Sequence, residues 1–131
     1  MILLIGALFG FFSVVFGAYS EHGLRPFVSE EEFRMLMTAI RYNQVNSVII
    51  CAIGLILLVP NGFPRVPLLK WSGILFIVGT VLFSFSIYLS VGLQIPSLVY
   101  VTPVGGITLM LSWLLLAVAA FKAVRMKKDS Q

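Results

Sequence analysis

The sequence predicts an all-α integral membrane protein, a bundle of four transmembrane helices in a single domain spanning residues 1–131. Three observations predict it. Hydrophobic residues make up 60% of the chain and charged ones 11%, with a mean hydropathy of +1.05. A domain of 131 residues has no interior large enough to hide that much apolar surface from water, so lipid must cover it. The apolar residues also fall into four runs, at about 2–19, 38–59, 71–93 and 103–121. Each run is near the roughly 20 residues that a helix needs to cross a bilayer core.

The first run, "MILLIGALFG" onward, carries no Lys or Arg, and "VVFGAYSEHG" puts bulky residues near any cleavage point. It is expected to be a retained helix rather than a cleaved signal. In the connection "SEHGLRPFVSEEEFRMLM", Ser29 and Glu32 form a capping-box pattern, and Glu30, Glu31 and Glu32 lie where the helix dipole favours acids. A helix should therefore start near Glu30. Phe33, Leu36, Met37 and Ile40 share one face, which predicts an interfacial segment over 30–37 leading into the second span. The second connection, "PNGFPRVPLLKW", is too rich in Pro and Gly for a helix interior, and Lys70 and Trp71 suit a membrane boundary. The third, "GLQIPSLVYVTP", is uncharged. Its Thr102–Pro103 pair reads as a hydroxyl N-cap followed by Pro at the first helical position.

Four spans put both termini on one side, together with Arg65, Lys70, Lys122, Arg125, Lys127 and Lys128. The other side holds Glu21, Arg25, Glu30, Glu31, Glu32 and Arg34, with Arg41 just inside the second span. The excess of Lys and Arg places both termini in the cytoplasm of a cell with the protein in its plasma (inner) membrane. The basic tail, 122–131, is expected to touch anionic lipid through Lys122, Arg125, Lys127 and Lys128.

Small residues recur on each span: Gly6, Gly10, Ser13 and Gly17; Ser47, Cys51 and Gly54; Ser72, Gly79 and Ser86; Gly105, with Gly106 beside it, Ser112 and Ala119. Such faces let helix backbones approach closely in lipid. They serve either packing within the bundle or, at Gly6–Gly10, docking of a second copy or a partner. A faint repeat aligns "GALFGFFSVVFG" (6–17) with "GILFIVGTVLFS" (73–84), which would make the bundle two helical hairpins of like orientation.

Polar residues gather toward the outer side: Glu21 and His22, then Arg41, Asn43 and Asn46, and Thr102. This outer cluster is either structural or a ligand site, since polar groups at membrane depth usually face a bundle interior. Glu21 and His22 are adjacent, so on a helix they point about 100° apart and do not converge on one substrate atom. With no serine motif, phosphate loop or ligand spacing for a metal, no catalytic or metal residue is assigned and no cofactor is expected. Cys51, the one cysteine, reads as a packing residue. The composition gives no nucleic-acid surface.

"FGAYSEHGL", "TAIRYNQVNS", "LFSFSIYL" and "VTPVGG…SWLLLAVAA", in that order, resemble the small membrane proteins grouped as domain of unknown function 423. This YgdD/YwdK-like family includes eukaryotic transmembrane protein 256. Its members typically read "GAFGAHGL", "TAVQYQMYH", "LFSGSLY" and "ITPIGG…GWL". The resemblance covers nearly the whole chain and implies a four-helix membrane protein; it brings no activity. This chain departs from the pattern at Asn46, where the family commonly has a second histidine, at Glu21 in place of Ala, and at Phe85 in place of Gly.

The function read from the residues is non-enzymatic: association with itself, or with another membrane protein as a small accessory subunit. The alternative is a lipid or small-anion binder using the outer cluster. At Glu21, the expected partner is Arg41, with His22 capping the cluster by hydrogen-bonding a neighbouring helix end. Orientation is checked with a cysteine at Ser130 in intact cells. An impermeant thiol reagent should reach it only after the membrane is opened.

Overall fold

The protein's structure, a computed structural model, describes residues 1–60 and 66–129; Arg65 and Ser130 lie outside the described residues. Helix α1 runs Ile2–Tyr19, and α2 runs Glu30–Leu58. The third crossing is α3, Pro67–Thr80, followed without a break in the helical path by α4, Ser86–Gly92; α5 is Thr102–Asp129. Among the described residues, four helical segments are long and apolar enough to cross a membrane: Ile2–Phe27, Glu30–Leu58, Pro67–Gly92 and Pro96–Asp129. The four predicted spans are therefore all present as helices.

The capping box forms as the sequence predicts. Glu32 N–H donates to Ser29 Oγ at 3.2 Å, and Ser29 N–H donates to Glu32 Oε2 at 2.8 Å. From that start nothing interrupts α2, because no Pro falls before Pro60 and the first Gly is Gly54. Residues 30–37 are thus the opening turns of α2 itself, and Leu36 is buried with Ile87 and Val91 of α4. Thr102 differs from expectation. Its backbone is helical (φ −54°, ψ −43°) because the 3₁₀ turn Pro96–Val101 runs directly into α5, so its hydroxyl is not a cap. It lies 2.9 Å from the Ser86 hydroxyl, bridging α4 and α5.

Small residues build two antiparallel hairpins. On α1 and α2, Gly6 faces Cys51, Gly10 faces Ser47, and Gly54 faces Leu3. On the other pair, Ser72 Oγ donates to Ser112 O at 3.1 Å, Gly79 faces Leu109, and Gly105 sits against the backbone of Leu82 and Phe83. The Gly6–Gly10 face is therefore spent on α2 of the same chain, the internal one of the two roles the sequence allowed. The positions are not equally tight. A β-carbon at Gly6 would lie 2.9 Å from Cys51 N, and one at Gly54 would lie 2.6 Å from Leu3 N. At Gly10 it would meet Ser47 Oγ at 3.5 Å, and at Gly17 and Gly106 the nearest atoms are 3.9 Å away.

Two apolar clusters fill the bundle. Phe9, Ile50, Ile53, Leu69, Phe76, Leu109 and Ala119 form the one nearer the termini. Leu36, Ala39, Ile40, Ile87, Tyr88 and Val91 form the one at the opposite end. The basic segment continues α5: Ala123 is still buried, while Lys122, Arg125 and Lys128 project outward.

These spacings rank the glycines. Gly54→Ala and Gly105→Ala should each lower stability by about 2 kcal/mol, since the obstacle is backbone rather than a side chain that can turn. Gly10→Ala and Gly106→Ala should be near neutral or slightly stabilising, because alanine is the better helix former. Thermal unfolding of the four variants in one detergent checks the order.

Candidate functional site: a buried polar layer and a separate charged rim

On α2, Asn43, Asn46 and Ser47 recur at helical spacing and face inward; Asn43 is fully buried and Asn46 is 1% exposed. Across from them, Tyr88 on α4 leans toward the start of its own helix, as long side chains on helices do. Its hydroxyl thereby reaches Asn43, whose Nδ2 donates to Tyr88 Oη at 3.2 Å. The Tyr88 ring is held by the stacked Phe16 ring, with centroids 4.1 Å apart and planes 8° from parallel, and by the edge of Phe85. A second bond ties α2 to the same crossing, just before α4: Ser84 Oγ donates to Ala39 O at 2.8 Å. Both bonds join one hairpin to the other.

Ser84 lies in a widened π turn, Val81–Phe85, between α3 and α4. Another such turn, Ser20–Leu24, closes α1 and contains the Glu21–His22 pair. Among the described residues, three buried polar atoms have no hydrogen-bond partner: Asn43 Oδ1, Asn46 Nδ2 and Ser20 Oγ. Turning the Asn43 amide over would let Tyr88 donate to its oxygen but would leave its nitrogen bare, so one end stays unpaired either way. Thr80 and Ser13 instead bond back to Phe76 O and Gly10 O of their own helices.

The charged residues lie elsewhere. Glu21 Oε2 pairs with Arg25 Nη1 at 2.8 Å, with both side chains roughly half exposed, and the Arg25 guanidinium lies 4.9 Å from the centre of the Phe33 ring. This clasps the end of α1 to the start of α2, but with Arg25 in the place expected of Arg41. The reason is rotational. Ile40, Ser47, Cys51 and Gly54 are among the residues of α2 that meet α1, and Arg41 sits about 100° round the helix from Ile40. Arg41 and His22 are exposed. Of the six residues in the predicted outer cluster, Asn43 and Asn46 come together inside, Glu21 and His22 stand at the rim, Arg41 faces outward, and Thr102 joins α5 to α4.

The predicted site did not include Ser20, Arg25, Ser84 or Tyr88, although Ser84 and Tyr88 lie in the outer polar stretch "LFSFSIY". Arg25 could have been found from its place four residues after Glu21, the spacing at which a helical pair meets. Beside the α2 start, a crevice of about 360 Å³ lies between Glu31, Glu32, Met35, Ser90 and Gln94; the Glu32 carboxylate there is already engaged by the Ser29 N–H.

The Asn43–Tyr88 bond is tested by a double-mutant cycle in thermal unfolding. Tyr88→Phe should cost about 1 kcal/mol, since it leaves the whole buried amide unpaired. Adding Asn43→Leu should recover part of that loss, because removing both partners leaves no stranded polar group.

The chain matches the family model described as "Protein of unknown function (DUF423)" over residues 16–106. That stretch includes the π turn at Ser20–Leu24, the α2 polar face and Tyr88. A UPF0382 membrane protein of Haemophilus influenzae is 31% identical over 121 residues, covering 92% of this chain and 94% of its own length. The UPF0382 inner membrane protein YgdD of Escherichia coli is 30% identical over 124 residues, covering 94% and 91%. YwdK of Bacillus subtilis is 28% identical over 120 residues, covering 92% and 95%. No solved structure matches. With a family model spanning its polar layer and relatives aligned nearly end to end, the chain belongs to the DUF423 family of membrane proteins.

Proposed function

We propose that this membrane protein is non-enzymatic and works by association, as a homo-oligomer or as a small accessory subunit of a membrane complex. It would lie in the cell's inner membrane with both termini cytoplasmic. The name of the Escherichia coli relative supports the membrane assignment, and the exposed Lys122, Arg125 and Lys128 at the termini's end of the bundle support the orientation. In that orientation the same residues meet anionic headgroups.

One observation carries the association reading. Arg41 and Gln44 are both exposed on the outward side of α2, and no hydrogen bond or ion pair reaches either side chain among the described residues. The α1–α2 register, with Gly17 facing Ile40 and Gly6 facing Cys51, sets Tyr19 level with about Thr38. Gln44 then lies about 9 Å below that level at 1.5 Å per residue. Arg41, nearer the surface, can extend to headgroups; the shorter amide of Gln44 cannot. A polar side chain held at that depth against lipid is costly, and a protein neighbour removes the cost.

The carrier alternative needs Arg41 in one pocket with His22, Asn43 and Asn46. Arg41 and the two asparagines instead occupy different faces of α2, which favours association. The experiment is purification of the full chain in mild detergent or native nanodiscs, followed by mass measurement. A discrete oligomer or a co-purifying membrane protein is the expected result. A monomer with stoichiometric bound lipid would overturn the reading.

A further inference from the structure

The other lipid-facing helix surfaces differ from that of α2. The outward side of α1 presents Leu4, Leu8, Phe11 and Val15, and that of α5 presents Ile107, Met110, Leu114 and Phe121. Only lipid tails are needed to satisfy those. On α2, Arg41, Gln44, Val48, Leu55 and Leu58 are all exposed. Their spacing of three, four, seven and three residues draws a single seam of the kind that packs against another helix at a shallow angle. Val48 is 69% exposed, and Ala52 beside the seam is small enough to let a second backbone approach.

Resting on the association reading, we infer that this seam binds a second copy of the same chain, in a dimer whose twofold axis runs along the membrane normal. Identical chains insert with one orientation, so such a dimer sets like residues opposite one another. Most polar side chains are poor partners for themselves. Glutamine is not, because its amide donates and accepts at once. Gln44 of one copy donates to Gln44 Oε1 of the other, and the exchange is returned. Arg41, all donors and no acceptor, would repel its own image; the Gln44 oxygen of the other copy, one turn deeper, gives it an acceptor. The guanidinium also keeps access to headgroups, which spreads the charge of the pair. The same two residues therefore meet a copy of themselves without any carboxylate being supplied.

The test uses the full-length chain in its native membrane. Val48→Cys is made in a Cys51→Ala background, with Leu114→Cys on α5 as the comparison, and each is oxidised to form disulfides. Val48→Cys should give a covalent species of twice the chain mass, and Leu114→Cys should not. Gln44→Leu should weaken dimerisation roughly tenfold, while the unfolding temperature of the monomer stays unchanged because Gln44 makes no side-chain bond within the chain. An oligomer by mass that cross-links through Leu114→Cys and not Val48→Cys would overturn this surface and leave the association reading standing. A Val48→Cys adduct to a different protein would overturn the self-partner alone. A monomer by mass, with no adduct at either position, would overturn both.

Discussion

Two pairs of helices approach closely enough for backbone to touch backbone, and the rest of the fold depends on that contact. In lipid, one helix gains no hydrophobic free energy by covering another, since hydrocarbon covers it equally well. What remains is dispersion over a well-fitted surface, and the fit requires that nothing protrude. Gly6 and Gly54 meet that requirement on α1 and α2, and Gly79 and Gly105 meet it on α3 and α5. The apolar clusters can fill in around the hairpins only because these contacts first set the distance between axes.

Joining the two hairpins is a different physical problem, met by polar atoms. The bonds Ser84–Ala39 and Asn43–Tyr88 cross between them, each buried. Van der Waals packing alone tolerates a sliding or rotation of one hairpin against the other. A hydrogen bond at membrane depth does not, because the displaced donor would have nowhere else to go. The buried hydroxyls and amides thus select one arrangement among several that would bury comparable apolar surface. Asn43 Oδ1 and Asn46 Nδ2, left unpaired, are the cost carried by that layer.

What the sequence made legible follows the range over which each signal acts. The spans, the capping box and the small-residue faces depend on neighbours within one or two turns, and all of them appear in the structure. The Glu21–Arg41 pairing depended on how far α1 and α2 are rotated about their axes, which no local pattern encodes. The tight register places Ile40, not Arg41, against α1, and Arg25 was already within reach of Glu21. Thr102 shows a smaller failure of the same kind, since the turn before it continued the helix and freed its hydroxyl for Ser86. Asn43 and Asn46 were legible as polar residues that had to face inward. Tyr88 was not singled out within "LFSFSIYL", because no local pattern says which neighbour its hydroxyl meets. Only the lean of its side chain carries the hydroxyl down to the amide.

The π turn at Val81–Phe85 acts as a phase shifter in the third crossing. A widened turn holds one more residue than a regular one, so every side chain beyond it is set back around the helix by about 100° relative to an unbroken α-helix. Before the turn, α3 directs Ser72 and Gly79 at α5. After it, α4 directs Ser86 at α5 while Tyr88 serves α2. One crossing therefore addresses two neighbours with two independently set angular origins. Drawing the same residues into a regular α-helix would leave α3 its partners and turn α4 by about 100°, so that it presented the wrong side to both of its own; removing one residue along with the turn would leave α4 aligned.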